Sequence, residues 1–135
     1  MALLSWNSTY SVGVQSMDEQ HMSLFDSLNE LHTAMSHGKA SEVTKSLLRN
    51  LLAYTRDHFT AEEALLARAR FPGLQRHRMR HQELTREIAG FLQRFERGEA
   101  AISIQLLTFL REWLSNHILH EDQAYRAWLV ESGIR

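Results

Sequence analysis

The sequence predicts an all-α protein, an antiparallel up-down-up-down four-helix bundle with an extended N-terminal arm. Three observations carry that prediction. Glycine and proline together make up 7 of 135 residues, about 5% against a usual 12% or so, which is too little punctuation for an all-β chain with its many tight turns. Apolar residues recur at helical spacing through four long stretches. The breaks between them, at Gly38, Phe71-Pro72-Gly73 and Gly98, are short, and short connections make neighbouring helices antiparallel.

Residues 1–15, with Trp6, Tyr10, Val12 and Val14, read as an arm that packs on the bundle. Ser16 and Glu19 fit a capping box for a first helix over about 17–37. Its apolar face uses Met17, His21, Leu24, Phe25, Leu28, Leu31, His32 and Met35, and Gly38 stops it. Ser41 can cap a second helix over about 41–69, whose face runs from Leu47 through Leu51, Thr55, His58, Phe59 and Glu62 to Leu66. A third, over about 74–97, uses His77, His81, Leu84, Ile88, Phe91, Leu92 and Phe95. The fourth, over about 101–130, uses Ile102, Leu106, Leu107, Leu110, Trp113, Leu114, His117 and Ile118. With no repeat, linker or low-complexity segment, residues 1–135 read as a single domain.

Composition narrows the function. No cysteine is present, which excludes disulfide frameworks, thiolate zinc sites, iron–sulfur clusters and thiol nucleophiles. A formal charge of −1 gives no global field to attract nucleic acid or an anionic membrane. No apolar run reaches the roughly 20 residues of a membrane span. The start of the chain lacks the basic and long apolar regions of a signal peptide, so a cytoplasmic protein is expected. Arg68, Arg70, Arg76, Arg78 and Arg80 form a local basic cluster, read as a solvated end of the bundle.

The eight histidines are the unusual count. Three spacings stand out, His58-x3-Glu62, His77-x3-His81 and His117-x4-Asp122, with His21 upstream. Residues at i and i+4 lie about 40° apart around a helix and about 6 Å along it, so two such side chains can converge on one ion. Each pair alone is weak, but the bundle offers a stronger test. At about 1.5 Å per residue, running up, down, up and down from Met17, His21 falls near about +6 Å and His58 near about +5 Å. Glu62, His81 and His117 fall near about −2 Å, His77 near about −8 Å and Asp122 near about −9 Å. These residues share a band of about 15 Å in a bundle more than twice as tall. His32, His37 and His120 read as surface or boundary residues.

Five imidazoles and two carboxylates are too many for one octahedral ion and fit two. Imidazole with carboxylate suits iron or manganese. If both carboxylates and a solvent-derived oxygen bridge the pair, the histidines divide as three and two, giving one closed ion and one with an open position. Asp122 is the weakest geometric link. Five residues after His117 it lies about 140° away on an ideal helix, whereas Glu121 points better, so choosing Asp122 requires the fourth helix to bend, open or bulge.

The chain resembles the hemerythrins, in particular the single-domain bacterial ones. The likeness spans nearly the whole chain: Trp6, Tyr10, Val12-Gly13-Val14, Asp18, Gln20-His21, Leu24-Phe25 and Asn29, then His58-Phe59-x2-Glu62-Glu63, His77-x3-His81 and His117-x4-Asp122. This resemblance implies a non-haem, oxo- or hydroxo-bridged di-iron centre. His77, His81 and His117 would hold the closed iron, His21 and His58 the open one, and Glu62 and Asp122 would bridge them. Leu24, Phe59, Trp113, Leu114 and Ile118 look like the family's O2 pocket. The function it implies is reversible O2 binding for carriage, storage or delivery, not enzymatic turnover.

The residues agree with that expectation. Di-iron oxygenases use Glu-x2-His motifs, and no glutamate here has a histidine three residues on. A shell rich in neutral imidazole stabilises high-valent iron less. The rival readings are an O2 or redox sensor signalling to a partner, and a di-iron enzyme acting on peroxide, nitric oxide or ferrous iron. No signalling domain accompanies the helices within these residues, which favours a carrier. O2 is the expected partner, with no nucleic acid, no membrane insertion and a monomeric state.

Overall fold

The computed structural model describes residues 4–36, 41–97 and 104–135, which fold as an all-α four-helix bundle. Residues 1–3, His37, Gly38, Gly98, Ala101 and Ile102, and the side chains of Ser41 and Leu106, lie outside the described residues. The bundle comprises α1 (Gln15–Ser36), α2 (Ser41–Arg68), α3 (Leu74–Glu96) and a fourth rod in three parts: α4 (Ile104–Asn116), a π-helical turn (His117–Asp122) and α5 (Gln123–Glu131). α1 packs on α2 and α4, and α2 packs on α3. No helix among the described residues is long and apolar enough to cross a membrane.

Side-chain hydrogen bonds tie the arm to the bundle. Asn29 clamps its start, accepting from Leu4 N at 2.9 Å and donating to Leu4 O at 2.8 Å. Trp6, Tyr10 and Phe25 form an aromatic triangle with centroids 4.9 to 5.6 Å apart. The capping box expected of Ser16 and Glu19 does not form. α1 begins at Gln15, so Ser16 lies inside it, and Glu19 accepts from the Gln15 side chain at 3.1 Å. Asp18 takes the structural role instead, receiving the Ser11 hydroxyl at 2.6 Å and Val12 N at 2.9 Å. Gly13 turns the arm at φ 75°, where a Cβ would stand 3.1 Å from Val130 Cγ2. That left-handed backbone and close approach both favour glycine.

α2 ends in a reversed pair of hydrogen bonds, Phe71 N to Leu66 O at 3.0 Å and Arg70 N to Ala67 O at 3.1 Å. This Schellman arrangement places Arg70 at φ 56°, the position glycine usually fills.

A polar layer divides the core in two. Leu24, Leu28, Leu31, Leu48, Leu51, Leu52, Ile88, Leu110 and Leu114 belong to the larger apolar cluster, and Val12, Val14, Met17, Leu66, Tyr125 and Leu129 to the smaller. α1 passes from one to the other at His21, between Met17 and Leu24. α2 does so at His58 and Glu62, between Leu52 and Leu66.

Candidate metal centre

Each element delivers its polar groups to that layer by register. His21 comes from α1, His58 and Glu62 from successive turns of α2, and His77 and His81 from successive turns of α3. All are buried, His21 and Glu62 completely. The fourth rod meets the same layer through its π turn, where Gln123 N–H donates to Ile118 O across five residues. Bonding five residues on swings Asp122 onto the side of His117, which an α-helix would not do. Asp122 is completely buried, whereas the Glu121 side chain keeps 32% of its surface. The departure from ideal helix that the five-residue spacing requires is therefore a π turn.

The two carboxylates face both ways. Glu62 Oε1 lies 2.7 Å from His77 Nε2 and 3.1 Å from His81 Nε2, while its Oε2 lies 3.4 Å from His21 Nε2 and 3.5 Å from His58 Nε2. Asp122 Oδ1 lies 3.0 Å from His77 Nε2 and 3.1 Å from His117 Nε2, while its Oδ2 lies 3.2 Å from His21 Nε2. Two groups result, each with its ligand atoms within 4.8 Å of one another: Glu62, His77, His81, His117 and Asp122, and His21, His58, Glu62 and Asp122. Both carboxylates belong to both groups.

The ring nitrogens facing away from the layer fix the tautomers. His81 Nδ1 lies 2.9 Å from Glu63 Oε2, and His117 Nδ1 lies 2.6 Å from Glu121 Oε2. His58 Nδ1 lies 2.6 Å from Gln20 Oε1. Carboxylate and amide oxygens accept, so each imidazole donates its Nδ1–H and turns its Nε2 inward. The Nε2 atoms of His81 and His117 then face each other at 3.2 Å. His58 Nε2, both Asp122 oxygens and both His21 nitrogens are buried without a hydrogen-bond partner among the described residues. The His21–Asp122 approach is short but lacks hydrogen-bond geometry. Unpartnered imidazole nitrogens and carboxylate oxygens in an apolar interior are unfavourable unless cations, metal ions or protons, sit among them. The donor set fits two metal ions.

Titration of these groups follows from the same crowding. Burial opposes charge on His21, His77 and His117, but Asp122 and Glu62 outweigh it, raising His21 and His77 to about 9 and His117 to about 10. Burial dominates at His58 and lowers it to about 4. Burial alone would raise Glu62 and Asp122, yet the surrounding imidazoles hold both below the usual carboxylate range.

A family model described as the hemerythrin HHE cation binding domain matches residues 12–129. The chain belongs to the hemerythrin family. The bacteriohemerythrin of Stenotrophomonas maltophilia (strain R551-3) is 36% identical over 125 residues, covering 93% of this chain and 80% of that protein. That of Methylococcus capsulatus is 32% identical over 126 residues, covering 93% and 95%. A crystal structure of wild-type hemerythrin superposes with a TM-score of 0.90 at 29% identity, covering 95% of this chain and 98% of that one. The likeness to hemerythrins read from the sequence is thus borne out.

Around this polar layer, Leu24, Phe59, Leu114 and Ile118 are buried. Phe59 stacks on His81 at 3.7 Å between centroids, and Trp113 stacks near His117 at 5.8 Å. Trp113 is not purely apolar, because its Nε1 is buried with no partner among the described residues. Four polar residues behind the layer have roles that the sequence analysis did not assign: Gln20, Glu63, Glu121 and Tyr125, whose hydroxyl donates to Glu62 Oε2 at 2.8 Å. Gln20, Glu63 and Glu121 left a signal, as polar residues beside the candidate ligands, and Tyr125 left none. Two arginines of the basic cluster also have partners: Arg78 Nε lies 2.9 Å from Glu63, and Arg80 Nε lies 3.6 Å from Glu121. His32 is half-buried and His120 exposed.

Proposed function

We propose that this hemerythrin binds O2 reversibly at a di-iron centre and serves as a carrier, store or delivery protein. The observation that carries the reading is the two-way orientation of Glu62 and Asp122, each with one oxygen toward two histidines of the His77, His81 and His117 group and the other toward the His21 and His58 group. His77, His81 and His117 would hold one iron and His21 and His58 the other, with both carboxylates bridging. A pair of ferrous ions supplies the two electrons that reversible O2 binding draws on.

The chain's own residues do the rest. Three histidines would complete one position, while two would leave the second short of a ligand and open to a diatomic molecule. Leu24, Phe59, Trp113, Leu114 and Ile118 exclude bulk water, which favours release of O2 over its reduction. Neutral imidazoles limit the negative charge of the shell, which favours binding over turnover.

Anaerobic loading with ferrous iron, then addition and removal of O2 under visible spectroscopy, tests this. A spectrum that appears with O2 and reverts on deoxygenation supports the reading. Sustained O2 consumption with a reductant, and no reversal, replaces it with an enzyme.

A further inference from the structure

Resting on the two-metal reading above, we propose that the outer hydrogen bonds make the two metal positions unequal by charge. The position built on His77, His81 and His117 fills first and tightly, and the position built on His21 and His58 fills second and empties first. Glu63, Glu121 and Gln20 are positioning residues that set this order.

Two of the three histidines of the first group have an anionic acceptor at Nδ1. Glu63 stands behind His81 at 2.9 Å and Glu121 behind His117 at 2.6 Å. Arg78 and Arg80 approach Glu63 and Glu121 from outside at 2.9 and 3.6 Å and hold them in place. A carboxylate at Nδ1 draws the imidazole toward imidazolate character, making its Nε2 a stronger donor. The second group has no such support. His58 has the neutral amide of Gln20 at 2.6 Å, and His21 Nδ1 has no partner among the described residues. The difference coincides with the division of the ligands into three and two, so ligand number and outer charge favour the same order. Only exchange of the outer charge at fixed ligand number separates them.

Gln20 and Glu63 are both partly exposed, so isosteric exchange at either adds no buried charge to the core. The test is an anaerobic titration of the metal-free chain with ferrous iron against a chelator of known affinity, read as two stepwise constants. Glu63→Gln should weaken the first step about 10-fold and leave the second unchanged, and Gln20→Glu should strengthen the second by a similar factor. Glu121→Gln gives an independent reading of the first step should Glu63→Gln fail to fold, as judged by circular dichroism. Two ions bound with steps unaffected by these exchanges would overturn this inference and leave the function standing. Fewer than two ions bound by the unaltered chain would overturn both.

Discussion

Asp122 and Glu121 are adjacent and carry the same charge, yet their environments assign them different effects. Asp122 has both oxygens among inward-facing imidazoles, while Glu121 accepts from the outer nitrogen of His117. Asp122→Ala should therefore lose one of two irons, measured as metal per folded chain. Glu121→Ala should keep two irons but bind the first about 10- to 100-fold more weakly, because it removes an outer partner of His117 and not a ligand. Spacing alone gave Glu121 and Glu63 no role, since it does not reveal which ring nitrogen a carboxylate meets. Leu114 is 3% exposed, and Leu114→Ala should leave a cavity costing about 2–5 kcal/mol in denaturant unfolding. The ligands stay in place, so two irons should still bind, and the oxygenated form should decay faster to diferric iron. An unchanged decay rate would remove Leu114 from the proposed O2 pocket.

At the scale of elements, the convergence of polar groups on one level was legible because helical rise and short connections are nearly fixed by physics. His58 with Glu62 and His77 with His81 follow from four-residue spacing within α2 and α3. The π turn was legible only as a demand: five residues from His117 to Asp122 required some departure, and a bend, an opening and a bulge all met it. What decided the form is the Gln123 to Ile118 hydrogen bond, which no residue type announces. The start of α1 was misread because Ser16 and Glu19 match a local pattern, whereas Asp18 is recruited by the arm through Ser11 and Val12. Gly90 has no evident structural need: it lies within α3 and an added Cβ meets nothing within 4 Å. Gly90→Ala should raise stability by about 1 kcal/mol in chemical denaturation, through helix propensity alone.

For the whole molecule, the polar layer links folding to metal and pH. In the metal-free chain, His21, His77 and His117 have pKa values of about 9, 9 and 10, above the ordinary 6.5. Their stabilisation is complete below about pH 6.5 and disappears as pH rises through 9 to 10. Glu62 and Asp122, held low, stabilise above the usual carboxylate range and lose that effect as pH falls. His58, lowered to about 4, opposes folding as pH drops below about 6.5. Metal bound among these residues would displace their protons, so a loaded chain would lack the alkaline loss. Thermal melts should show the gap between loaded and metal-free protein widening from pH 6.5 to 9. A constant gap would mean that the buried histidines are not what the metal binds. The most direct test of the two-metal centre is the iron content of the folded chain after anaerobic loading and removal of free ion. Two irons per chain is the predicted result; one iron per chain, or zinc alone despite ample iron, would contradict it.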